Sequence, residues 1–166
     1  MLIRPSVEDD AQQMVDLERL LAENGRGMVL SPDQVNTAEE EKARIAVGNS
    51  GGATLGIVAE IDGRIVGSAF LKQLGPERCR HVGVLSVGVH PDRQRTGIGR
   101  ALMTHLIEHG RAHGLQRLEL YVRGDNAPAQ ALYVSLGFVQ EGTRARFIKL
   151  EDGTYVDDFI FCRFLE

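Results

Sequence analysis

The chain of 166 residues has no CxxC pair, no lysine after a glycine and no apolar run long enough to span a membrane. Each absence closes off a class. Cys79 and Cys162 stand far apart, so they read as reduced packing residues of a cytoplasmic protein rather than as a cysteine framework. "MLIRPSVEDD" lacks the pattern of a signal peptide. There is no basic excess either: 19 Lys and Arg face 23 Asp and Glu, for a formal net charge of −4. Arg78, Arg80, Arg93, Arg95, Arg100, Arg144 and Arg146 have no aromatics interleaved with them, so neither a nucleic-acid nor a membrane partner is expected. Repeats, low-complexity stretches and linkers are missing too, which predicts a single domain over residues 1–166.

What remains is an ordinary globular composition, 43% hydrophobic and 25% charged. "LIRPS" reads as a strand ended by Pro5, with Ser6 able to cap an apolar stripe that runs from Val7 to Leu21. A turn-rich loop, "ENGRGMVLSPDQVN", leads to a helix capped by Thr37, whose "EEEK" is expected to be a solvated face. Asp62-Gly63 marks a hairpin between two apolar runs. "HVGVLSVGVH", the helical pattern through Ile98, Leu102 and Leu106, the alternating "LQRLELYVRG" and the helix "DNAPAQALYVSLG" follow. A last hairpin turns at Asp152-Gly153. Strands and helices alternate only in the middle, between flanking hairpins. This pattern predicts an α/β fold with one mixed sheet and helices on both faces.

Between the third apolar run and its helix lies "HPDRQRTGIGRALM". Gln94, Gly97 and Gly99 form Q-x-x-G-x-G. The Rossmann fingerprint fails because Leu102 stands at its third glycine, and a P-loop fails for want of G-K. Free N–H groups at a helix start still make an anion site, and glycine lets a phosphate approach the backbone. By spacing alone, a plain strand–turn–helix connection fits equally well. Gly88, inside "LSVGVH", predicts a bulge or a close approach that could pry this strand from its parallel neighbour "LELYV".

"LSVGVHPDRQRTGIGRALM" followed by "LELYVRGDNAPAQALYVSLGF" resembles the core of the GNAT superfamily of N-acetyltransferases. The resemblance covers nearly the whole chain. It implies a mixed, mostly antiparallel sheet flanked by helices, with a splayed parallel strand pair in the centre. It further implies that Gln94, Arg95, Thr96, Gly97, Ile98 and Gly99, with Arg100 beside them, bind the pyrophosphate of acetyl-CoA. Backbone N–H groups around Val87 to Val89 are implied as oxyanion donors, Asn126 as a contact to the coenzyme arm and Tyr133 as the catalytic acid. A phenol, protonated near neutrality, suits a leaving thiolate. No cysteine lies in either motif, so direct transfer is expected. The ending resembles enzymes that acetylate amino acids and related small amines, and family members are often dimers, which allows for a homodimer. A small-molecule amine is the expected acceptor. Protein N-termini or lysines, or non-catalytic acyl-CoA binding, are the alternatives.

For the general base, Glu119, Tyr121 and Asp157 are candidates, with water-mediated deprotonation equally open. "HLIEH" places His105 and His109 on one helix face as zinc ligands would be, but no third ligand from another element accompanies them, so no metal is expected.

Overall fold

A computed structural model describes residues 1–25 and 27–165. Arg26 of the turn-rich loop and Glu166 of the last hairpin lie outside the described residues. In chain order the elements are β1 (Leu2–Pro5), α1 (Ala11–Glu23), α2 (Ala38–Gly48), β2 (Leu55–Ile61), β3 (Arg64–Gln73), β4 (Val82–Val89), α3 (Ile98–Ala112), β5 (Arg117–Arg123), α4 (Ala127–Ser135), β6 (Val139–Lys149) and β7 (Tyr155–Phe164). The strands form one seven-stranded sheet in the order β1-β2-β3-β4-β5-β7-β6, antiparallel throughout except for β4 and β5.

The two faces of the sheet follow from strand alternation. Leu102, Met103 and Leu106 of α3 are fully buried in one cluster with Ile57, Leu71, Leu118 and Leu120. Each such side chain contributes about 1.5–3 kcal/mol through burial. On the other face, Ala11, Met14 and Leu17 of α1 and Ile45 of α2 pack over Val58 and Ile65. α4 lies beside α3, with Leu132 and Leu136 against the larger cluster.

β4 pairs with β5 only from Val82↔Arg117 to Val84↔Glu119. Beyond that the strands part, as expected. The expected bulge at Gly88 is not the cause, because the β3–β4 register runs unbroken through Ser68↔Gly88. Instead β4 stays with β3, and β5 stays with β7 from Arg117↔Phe164 to Arg123↔Asp158. Two twisted half-sheets therefore diverge. Gly88 does meet a close approach: a Cβ there would lie 2.6 Å from Leu21 Cδ1 of α1.

Two other expectations are corrected. Ser6 does not cap α1; it is buried, and the turn before the helix is held by Asp10, which accepts from Val7 N–H at 2.8 Å and is gripped by Arg4 at 2.7 Å. That grip lowers the Asp10 pKa against the opposing effect of burial. The "EEEK" stretch is not wholly solvated. Glu41 is 0% exposed, because α2 packs on α1 and Arg44 clamps the Glu41 carboxylate at 2.6 Å.

Candidate active site

The parted ends of β4 and β5 and the loop after β4 form the candidate site. His90 N–H donates to Val66 O on β3 at 2.9 Å. Alternation along an antiparallel strand then turns the N–H groups of Val87 and Val89 the other way, into the opening beside β5. Val89 O is met by Gln94 Nε2 at 3.2 Å, so Gln94 ties the loop to the strand end.

The loop is shaped by two left-handed residues, Arg95 (φ 60°) and Gly97 (φ 91°). A non-glycine in that region costs on the order of 1–3 kcal/mol and recurs at ligand sites. Thr96 Oγ1 donates to Arg93 O at 2.6 Å and braces the turn. The N–H groups of Arg95, Thr96 and Gly97 have no acceptor among the described residues. Ile98 and Gly99 open α3 with first-turn N–H groups that no helical carbonyl reaches. The result is a row of amides with the positive end of the α3 dipole behind it. Nothing lies within 4 Å of a Cβ built on Gly97, so the space above the loop is open. A Cβ on Gly99 would sit 3.3 Å from Leu132 Cδ2, so that glycine serves the α3–α4 contact as well. Arg100, expected at the coenzyme, donates to Ser135 Oγ at 2.8 Å and joins the two helices. Arg93 and Arg95 are exposed and have no carboxylate partner among the described residues.

Tyr133 on α4 is 7% exposed, with its ring 6.2 Å from that of Phe138 and 6.3 Å from that of Phe161. Its hydroxyl has no hydrogen-bond partner among the described residues. Burial pushes the phenol pKa up to about 12. Asn126 divides its two polar atoms between tasks. Oδ1 accepts from Ala129 N–H at 3.3 Å and caps α4, while Nδ2 lies 3.7 Å from a Cβ built on Gly27.

The candidate bases all have structural work. Glu119 accepts from Arg117 at 3.0 Å and from the Tyr121 hydroxyl, a bond that raises the Tyr121 pKa. Asp157 Oδ1 accepts from Arg146 N–H at 2.7 Å, where Arg146 is itself left-handed (φ 53°). His109 stacks on His113 at 4.0 Å near the end of α3, and burial lowers its pKa.

The loop between α1 and α2 reaches the site, since Met28 O accepts from Arg123 Nη1 at 3.2 Å. A wide-open groove of about 340 Å³ lies along Gly124, Tyr155, Asp157 and Phe159. A more enclosed cavity of about 190 Å³ lies on the α1 and α2 side of β4, bordered by Ser86, Val87 and Gly88. Its polar residues Glu18, Arg44 and Ser68 were missed in the sequence. Only the folding of α1 over β3 and β4 brings them together, and no spacing signals that.

The profile of the Acetyltransferase (GNAT) family matches residues 15–138. A mycothiol acetyltransferase from Saccharomonospora viridis is 40% identical over 131 residues, 74% of this chain and 42% of that protein. A [ribosomal protein bS18]-alanine N-acetyltransferase from Escherichia coli is 44% identical over 70 residues, 42% of this chain and 47% of that protein. The chain thus matches less than half the length of either relative. The crystal structure of a GNAT-family acetyltransferase from Streptococcus pneumoniae superposes with a TM-score of 0.93 at 27% identity, covering 99% of both chains.

Proposed function

Because the chain belongs to the GNAT acetyltransferase family, we propose that it moves an acetyl group from acetyl-CoA directly to a primary amine of a small molecule. The observation that carries this reading is the row of unpartnered N–H groups from Arg95 to Gly99, set beside the opened edge of β4. Those residues fit a pyrophosphate, since the cradle is free of Cβ atoms at Gly97 and lies on a helix N-terminus. Bound there, acetyl-CoA supplies an activated thioester. The N–H groups of Val87 and Val89 then face the carbonyl oxygen as charge develops on it. Asn126 Nδ2 is free to hold the coenzyme arm while Oδ1 keeps the cap.

Tyr133 donates a hydrogen bond to the departing sulfur. With its pKa at about 12, full proton transfer to a thiolate of ordinary pKa near 8.5 is uphill by about 3.5 units. Its role in the free enzyme's geometry is thus as a donor that stabilises negative charge on sulfur.

Residues 1–166 act in this reading as one cytoplasmic acetyltransferase domain, alone or as a homodimer, with no metal. A second acceptor class, the alanine N-terminus of a protein, is favoured by the relative named for ribosomal protein bS18. Free-thiol release from acetyl-CoA, followed across small amines and an alanine-initiated peptide, tests both. Acceleration by a small amine supports the first reading and acceleration by the peptide alone supports the second. Acceleration by none overturns the enzyme reading.

A further inference from the structure

Past Val84↔Glu119 the parallel pairing of β4 and β5 ends, and α1 and α2 pack on β2, β3 and β4 of the first half of the sheet. A buried guanidinium spans the gap that this leaves. Arg123 ends β5, in the second half, and its side chain is only 6% exposed. Nη1 donates across the gap to Met28 O at 3.2 Å, in the loop that follows α1. Nε and Nη2 donate to the two carboxylate oxygens of Asp125 at 2.9 Å and 2.7 Å. That two-pronged pairing offsets the buried charge and fixes the plane of the guanidinium, which aims Nη1 at the loop. A lysine would supply the charge without the fork.

The two ends of this link differ in how firmly they are held. The turn after β5 is locked without the guanidinium. Gln130 Nε2 of α4 donates to Arg123 O at 3.0 Å and to Gly124 O at 3.1 Å, and Gly124 N–H donates to Asp157 O on β7 at 2.8 Å. The chain packs so closely there that a Cβ on Gly124 would lie 3.1 Å from Phe159 Cζ. The loop is the opposite. Among the described residues, Gly27 to Leu30 make no backbone–backbone hydrogen bond, and the bond from Arg123 is their one side-chain hydrogen bond. Val29 is 58% exposed and Leu30 44%. Met28 and Leu30 nevertheless border the cavity that reaches Val87 and Gly88, beside the opened edge of β4.

We propose that Arg123 is a positioning residue, a strap between the two half-sheets that fixes the α1–α2 loop across their gap. It acts through Met28 and Leu30 rather than on the reacting atoms. A loop held at one height keeps the space over the Val87 and Val89 N–H groups narrow, so an amine is confined there; a loop set free lets it drift. The role toward an amine rests on the acetyltransferase reading; the strap itself does not.

The test pairs amide NMR relaxation with kinetics on the full chain. The amide that follows the gripped carbonyl is that of Val29. In the wild type its order parameter is expected near the rigid value of about 0.85, and in Arg123→Lys, which keeps the charge, below about 0.6, with Leu118 unchanged. For the most active amine of the thiol-release panel, Arg123→Lys raises KM at least fivefold and leaves kcat within twofold. Coenzyme A affinity also stays within twofold, because Gln130 and β7 still hold the turn that carries Asn126. A merely structural arginine would lower Tm and leave that split unmoved. A Val29 order parameter below about 0.6 in the wild type overturns the strap, whether or not the variant folds. Unchanged Val29 order or unchanged KM in a folded Arg123→Lys overturns the proposal too. Failure of the acetyltransferase reading has a different signature: Val29 loosens in Arg123→Lys, but no amine accelerates thiol release by the wild type, so the strap stands and its role in transfer falls.

Discussion

Gly97 and Gly99 sit two positions apart and do different things. At Gly97 the requirement is backbone conformation, φ 91°, with open space where a Cβ would be. A methyl group there meets no neighbour, so Gly97→Ala costs the fold only the left-handed strain, about 1–2 kcal/mol. That corresponds to a fall in Tm of a few degrees in a chain this size. A Cβ at Gly97 ends the bare-backbone approach that a phosphate uses, so coenzyme A affinity, read by calorimetry, is expected to drop at least tenfold. Unchanged affinity in a folded variant would reduce the loop to a turn. Gly99 cannot separate the two effects, since its Cβ would press on Leu132. Tyr133 offers a cleaner stability test. Its folded pKa, about 12, lies above the ordinary value of 10.0. Below pH 10 both folded and unfolded states keep the phenol proton and no differential arises. From pH 10 to 12 the unfolded chain loses it first, so stability falls by about 3 kcal/mol from this group. Tyr133→Phe removes that share, and urea melts between pH 9 and 11.5 should show a shallower alkaline decline. An identical decline in both proteins would mean that the phenol is not held in an apolar setting. In the transfer reaction Tyr133→Phe is expected to lower kcat with acetyl-CoA affinity retained.

At the scale of elements, what could be read in advance was local. Thr37 caps α2 as expected: Glu40 N–H donates to Thr37 Oγ1 at 3.3 Å, and Thr37 N–H donates to Glu40 Oε2 at 2.7 Å. Asp62 and Gly63 both take positive φ, as the tight turn between β2 and β3 demands. The loop from Gln94 to Gly99 was legible too, since its glycines and the helix it opens are contiguous. Glu41 was not. Whether a glutamate in the first turn of α2 faces water depends on how α2 meets α1, and that contact joins residues far apart in the chain. Glu18 and Ser68 escaped for the same reason, as did the true neighbour of Gly88, which is Leu21. The energetic consequence separates the two kinds of residue. Thr37→Ala removes an exposed cap and is expected to cost about 1 kcal/mol. Glu41→Ala removes the buried partner of Arg44 and Asn36, and is expected to cost about 3–5 kcal/mol. Denaturant melts of the two variants check the ranking; equal losses would mean that the Glu41–Arg44 clamp contributes little.

The molecule as a whole is two half-sheets, β1 to β4 and β5-β7-β6, joined along the sheet by the short parallel pairing of Val82–Val84 with Arg117–Glu119. Past that join the halves are held by side chains, chiefly the cluster in which α3 residues meet Leu118 and Leu120. Function in the proposed reading lives in the unpaired remainder, because the acyl donor would fill the place of a missing strand partner. The backbone of β4 should therefore show two kinds of amide in strict alternation. His90 N–H bonds to Val66 O, so the Gly88 N–H points to β3 and is shielded. The N–H groups of Val87 and Val89 point into the opening and have no acceptor among the described residues. In the free protein, hydrogen exchange at Val87 and Val89 is expected to run at least a hundredfold faster than at Gly88. Saturating coenzyme A should slow Val87 and Val89 and leave Val58 and Leu71, deep in the first half-sheet, unchanged. Equal protection along β4 in the free protein would mean that the strands do not part in solution. Slowing spread evenly over both half-sheets would mean that the ligand tightens the whole fold rather than bridging its split.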